Sequence, residues 1–295
     1  MYLLIRCTKY LNPSYKNKYA IIEYLYELAN EEKFFMLIFT HNYDFHRTIS
    51  SRLGLKRENC LVAERNQSNV ILEKEHYQNQ PFKTWKKNLD YKFILALIPF
   101  VRNLCEYGKD HNFSNSGKDF DYLTSLLHQK IDTPTIVFSD LEPLYLEYLG
   151  TASFPNEIDK KSNVIDRLYT ECDGLTLQDT RLENKIILAM AIRHKAEEFM
   201  LQKIKEYPGQ FIWCEKENYR TGGSQDFINF ACEKLQTRRL FNGYKQIGCA
   251  DKINTLNKVN IMTPEHIHIN SFMYEPLIDM DIVELLDLYS QVKNL

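Results

Sequence analysis

The sequence predicts an α/β piece of parallel strands plus a hairpin over residues 1–76, followed by a predominantly α-helical domain over residues 77–295. Three observations carry this. Phe34 to Phe39 (FFMLIF) is an unbroken apolar run of the kind that forms a strand buried on both faces of a parallel sheet. Gly and Pro are few, 10 and 9, while Tyr and Phe number 19 and 17, a balance that favours long helices over a turn-rich β protein. From Pro81 onward the apolar residues recur at helical spacing.

In chain order, Met1 to Ile5 reads as a short strand and Lys16 to Asn30 as a helix, with Ile21, Ile22, Leu25 and Leu28 on one face. The FFMLIF strand ends in Thr40-His41-Asn42, polar groups at the strand end where open α/β sheets bind ligands. Asp44 is positioned to cap the following helix through Phe45, Ile49 and Leu53. Cys60 to Ala63 and Val70 to Leu72 flank a polar turn and read as a hairpin. Helices are expected over Tyr91–Tyr107 with Pro99 as a kink, Phe120–Gln129, Leu141–Leu149, Asn163–Cys172 and Leu182–Tyr207, the last stopped by Pro208-Gly209. Another runs from Gln225 to Asn242, capped by Ser224 and closed by Gly243, and two more cover Asp251–Val259 and Met280–Leu295.

At 295 residues and 44% hydrophobic content the chain can build one large or two ordinary cores. A net charge of -2 gives no global basic field to recruit nucleic acid. The 7 Cys are scattered without a C-x-x-C pair, which reads as reduced buried thiols in a cytoplasmic protein. No signal peptide is visible, and the longest apolar runs are too short to span a bilayer.

The segment Tyr15-Lys16-Asn17-Lys18-Tyr19-Ala20-Ile21-Ile22-Glu23-Tyr24-Leu25, followed by LIFTHNYDFHRT, resembles the C-terminal portion of a bacterial ABC-class ATPase head. The family is the SMC-like or RecF-like AAA family ATPases, met in phage-defence and mobile-element contexts. The apolar helix at Phe93 to Tyr107 and the segment IHINSFMYEPLID extend the resemblance along nearly the whole chain. It implies that His41 is a switch histidine sensing the γ-phosphate, with Thr40 and Asn42 beside it, and that Asn12 to Tyr15, including Ser14 and Tyr15, occupy the D-loop. The chain departs from the family where phosphate and metal are held. It contains no G-x-x-x-x-G-K-[ST] loop. Arg6-Cys7-Thr8 stands where the Walker B acidic pair belongs, Ser14 stands where an acidic residue is usual, and the ABC signature is absent. The resemblance therefore implies a truncated or separately encoded ATP-binding piece, not hydrolytic alone, that meets ATP and Mg²⁺ only when a partner completes the site.

Other constellations have blander readings beside them. Arg220-Thr221-Gly222-Gly223-Ser224 precedes a helix start and is a candidate anion site, weighed against a loop with a Ser cap. His194 and Glu198, four apart on the long helix, have metal-ligand spacing, but Arg193, Lys195 and Glu197 around them read as a solvated face. His266 and His268 alternate on what reads as a polar strand face. Lys83 to Lys87 and Arg238-Arg239 are small basic clusters beside aromatics, weak candidates for nucleic acid. No metal site is expected. Three functions follow: part of an ATP-binding head acting with a protein partner or by self-association through its incomplete sheet, a stand-alone helical interaction module with vestigial ATPase motifs, or an independent metal- or nucleotide-processing enzyme.

Overall fold

The structure is a computed structural model that describes residues 2–7, 15–32, 34–40, 43–66, 69–74, 84–108, 116–130, 133–233, 236–248, 252–266, 277 and 280–295. It divides into two compact units, Met1–Thr84 and Trp85–Leu295. Most of the described residues are helical.

In the first unit, β1 (Tyr2–Cys7) and β2 (Phe35–Thr40) pair in parallel, joined by the crossover helix α1 (Tyr15–Ala29). Helix α2 (Tyr43–Arg52) follows, then a hairpin of β3 (Leu61–Asn66) and β4 (Asn69–Lys74). The α/β prediction thus takes a narrower form. The parallel pair and the hairpin are separate two-stranded sheets, with no described strand joining them. Ile22 and Leu25 of α1 and Phe45 and Ile49 of α2 form a small core, onto which Met36 and Ile38 of β2 pack. The expectation that FFMLIF is buried on both faces is corrected here. Side chains alternate across a strand, and the opposite face leaves Phe35 62%, Leu37 52% and Phe39 55% exposed. Both helices of the core meet the same face of β2, so only that face is covered.

The second unit is built around its longest helix. In chain order it holds α3 (Tyr91–Gly108), α4 (Ser116–Thr124), α5 (Phe138–Leu149), α6 (Val164–Asp173) and α7 (Leu182–Glu206). A hairpin of β5 (Phe211–Glu215) and β6 (Asn218–Gly222) follows, then α8 (Ser224–Ala231), α9 (Gln236–Gln246), α10 (Ile253–His266) and α11 (Ile282–Lys293). Helix α7 touches α3, α6, α8, α9, α10 and α11. Its 25 residues span about 37 Å at ~1.5 Å per residue, and most of them are buried. Pro99 lies inside α3. It cannot donate an amide hydrogen there, and nearby the Tyr145 hydroxyl donates to the Ile94 carbonyl.

The expected helix from Gln225 to Asn242 is two helices with a break after Ala231. Gly243, expected to close it, lies inside α9. A Cβ on Gly243 would run into the Phe227 ring, so the glycine allows α8 and α9 to approach closely. Asn163, expected as the first residue of its helix, instead caps α6 through its side chain, and Asp281 caps α11 likewise.

Candidate functional site

The parallel register of the first unit sets Arg6 opposite Phe39 and Cys7 opposite Thr40. The carboxyl ends of β1 and β2 therefore lie side by side, with half-buried Thr40 as the last residue of its strand. His41, Asn42 and Ser14 lie outside the described residues, and Tyr15 is placed only as the first residue of α1. Of the strand-end candidates, the structure positions Thr40. Mg²⁺ bound with ATP asks for carboxylate oxygens at such an edge. The Arg6-Cys7-Thr8 sequence at the end of β1 supplies none, so the chain's own residues do not fit the metal.

The glycine-rich candidate resolves differently from the sequence reading. Gly223, not Ser224, is the N-cap of α8, and its N–H donates to the Asp226 carboxylate at 3.1 Å. Ser224 is the first helical residue. A carboxylate thus already sits at the helix start where an anion would bind. Arg220 is exposed on β6 with its Nε 3.7 Å from Glu215, and Gly222 ends that strand.

The larger surprise is on α7. Arg193 and Glu197, expected on a solvated face, are fully buried, as is His194 between them, while Lys195 is partly exposed. Glu197 is a hub. Its Oε1 accepts from His128 Nδ1 at 2.8 Å and from the Thr237 hydroxyl, and its Oε2 accepts from the Gln129 backbone N–H at 2.8 Å. Arg193 Nη1 donates to the Leu127 carbonyl at 3.2 Å and lies 3.5 Å from His128 Nε2. His194 Nε2 donates to the Leu126 carbonyl at 2.7 Å. Gln236 donates to the Gln129 carbonyl. Glu198, the other half of the supposed metal pair, faces outward to Lys195. The described residues contain no group of His, Cys, Asp and Glu arranged to hold a metal ion.

Burial alone would raise the Glu197 carboxyl. His128, Arg193 and Thr237 outweigh it and hold the group at about 2. Burial lowers His194 to about 4, only partly opposed by the Leu126 carbonyl and Glu197. Burial also holds His128 below its ordinary value, with Glu197 opposing and Arg193 reinforcing. Both imidazoles are therefore neutral at pH 7. His128 carries its proton on Nδ1, facing Glu197, and turns a bare Nε2 toward Arg193. In His194 the proton is on Nε2, facing the Leu126 carbonyl, and Nδ1 lies 3.2 Å from Gln129 Oε1. One carboxylate thereby fastens α7 to the turn after α4 and to the start of α9. The network is suited to holding elements together.

The basic clusters are partly engaged. Lys86 donates to the Leu149 carbonyl, and Arg239 to the Phe230 carbonyl and Glu233. His266 ends α10, and His268 lies outside the described residues. Cys60, Cys105, Cys172, Cys214 and Cys232 form no disulfide. No described helix is long and apolar enough to cross a membrane. Comparison of the chain with protein-family models, with curated proteins and with solved structures gives no match.

Proposed function

We propose that this chain is the C-terminal part of an SMC- or RecF-like ATP-binding head that works with a partner supplying the phosphate- and metal-binding residues. The observation that carries the reading is the β1–α1–β2 crossover. Its register brings the end of the strand that resembles Walker B, at Cys7, beside the end of the strand that resembles the switch-histidine strand, at Thr40. Ligands of open α/β sheets bind at that edge. Without a P-loop, or a carboxylate at Arg6-Cys7-Thr8, the chain has no hydrolytic set of its own.

The test is reconstitution. The purified chain alone turns over no ATP above background. Co-expressed with a chain bearing Walker A and B elements it co-purifies, and the complex hydrolyses ATP in a manner abolished by His41→Ala. Turnover by the chain alone that disappears in His41→Ala would sink the proposal, as would a complex indifferent to that substitution. The reading as a stand-alone interaction module draws on the exposed apolar residues of β2 and of the β3–β4 hairpin. Stable capture of a partner without nucleotide dependence would favour it.

A further inference from the structure

The β3–β4 hairpin is a two-stranded sheet, a size that is marginal in water without something to pack or pair against. Residues 70–74 of β4 are exposed throughout. Neighbours along a strand point to opposite faces, so Val70 at 69%, Ile71 at 43% and Leu72 at 63% exposure leave both faces of β4 bare. The edge is open over the same stretch. Asn66 pairs with Asn69 across a two-residue connection, and Glu64 pairs with Ile71. In such a hairpin the closing pair exchanges both hydrogen bonds and every second pair repeats them. Ile71 therefore bonds to β3, while the backbone groups of Val70 and Leu72 point away from it. Nothing among the described residues meets them.

The other exposed hairpin is guarded. Gln246 Oε1 accepts from the Ile212 N–H at 2.9 Å and its Nε2 donates to the Ile212 carbonyl at 2.7 Å, so a side-chain amide seals the outer edge of β5. Its partner β6 carries exposed Arg220 at the middle of the strand. A blocked edge and an edge charge are two ways in which folds prevent strand-to-strand pairing, and β4 has neither over Val70 to Leu72.

The residue order says which strand fits there. Two β4 strands laid antiparallel about a two-fold axis at Ile71 set Ile71 against Ile71 and Val70 against Leu72 in both directions, pairs of the kind that stabilise sheets. Glu73 falls opposite Asn69, so no charge meets its like. With the axis one residue further, at Leu72, Ile71 would face Glu73 and Val70 would face Lys74. We propose that a second copy of this chain adds its β4 to this β4 in the Ile71-centred register, joining two hairpins into one four-stranded antiparallel sheet. The contact uses the same edge in both copies and therefore stops at two. It is smaller than a standard interface of about 1,600 Å², so the dimer is a weak one. The proposal gives the hairpin an occupant and is independent of the ATP-head reading.

Sedimentation equilibrium and disulfide trapping of the full chain test it. The native chain shows a monomer–dimer equilibrium in the micromolar range. Ile71→Lys sets two ammonium groups against each other at the axis and weakens it about tenfold or more, with circular dichroism confirming that the variant folds. Ile71→Cys places two thiols on Cα atoms about 4.5 Å apart, within disulfide reach. It gives a linked dimer on mild oxidation, above the background of the native cysteines. Glu73→Cys, about 13 Å from its counterpart along the strands, does not. Leu37→Ser, on the bare face of β2, leaves the Ile71→Cys link in place. The proposal is overturned if the native chain stays monomeric at high micromolar concentration, if Ile71→Lys associates as tightly as the native chain, or if Ile71→Cys links no faster than Glu73→Cys. A chain monomeric by itself that pairs with a different protein through this edge overturns it as well.

Discussion

The two units solve the same problem with unequal means. The second surrounds a 25-residue helix with six others and buries Arg193 and Glu197 in a hydrogen-bonded network. The first rests on Ile22, Leu25, Phe45 and Ile49, with Met36 and Ile38 packed against them. Large apolar side chains stand exposed accordingly. The first unit shows Tyr19, Tyr24, Phe35, Leu37, Phe39, Leu61, Val70, Ile71 and Leu72, and the larger second unit shows Tyr107, Leu146, Ile212 and Tyr219. A two-stranded sheet with one bare face is weakly self-sufficient, and a cluster of exposed apolar residues marks a surface meant to be covered. The difference separates a unit closed around a long buried helix from one whose small core leaves a sheet face bare.

The largest effect is expected in the second unit. Glu197→Ala strands Arg193 and three donors in the interior and should cost about 3–5 kcal/mol, the usual result of breaking a buried charge network from one side. Urea unfolding followed by circular dichroism measures it. A loss below about 1 kcal/mol would mean that the carboxylate is not what joins α7 to α9.

Acid should act on the same unit. Unfolded histidine titrates near 6.5, whereas His194 is held at about 4. The unfolded chain therefore binds the proton first, and the native state loses stability as pH falls from about 6.5 toward 4, by about 3 kcal/mol from this group. Glu197, held at about 2, adds a further loss from about 4.5 downward. His194→Gln should flatten the upper part of that slope. An unchanged melting temperature between pH 7 and pH 4.5 would contradict the buried neutral imidazole.

Leu25→Ala tests the other side of the comparison. Leu25 is almost fully buried in a four-residue core, and its truncation should cost about 2–3 kcal/mol. The loss should appear as faster hydrogen exchange across α1, β2 and α2 with α7 unaffected. If α7 lost protection to the same degree, the two units would unfold as one.

The smallest change in stability, within about 0.5 kcal/mol, is expected from Leu37→Ser on the open face of β2. Its effect should be on association. Light scattering behind size exclusion should show oligomers of the native chain diminished in the variant. A native chain that is monomeric at high concentration would show that this face needs no second molecule.

Much of this arrangement is legible in the residues, and the failures are physical. FFMLIF signals a strand by its unbroken apolar run, and the end of α7 is signalled by Pro208-Gly209. That one face of β2 stays bare is not in the run itself, because a six-residue stretch does not say how many neighbours it has. The β5–β6 hairpin escapes sequence reading because its turn places Lys216 and Glu217, rather than Asn and Gly, at φ 48 and 70. Arg193 and Glu197 mimic a solvated i, i+4 pair. The contrary signal is their setting, between the apolar runs Ile186–Ile192 and Phe199-Met200-Leu201 of the same helix. The strand-end candidates are a matter of resemblance, and Thr40 is the one whose strand position is described.

The Glu197 hub also sets a timetable for synthesis. Its donors come from His128 and Gln129, already made when residue 197 is added, and from Thr237, forty residues later. Until α9 emerges from the ribosome the carboxylate lacks one of its partners, and α7 has no α9 or α11 to lie against. Contacts of such long sequence separation form slowly and leave apolar helix surface open in the meantime. The second unit is thus finished only when Lys293 and Tyr289 of α11 reach Asp173 at the end of α6.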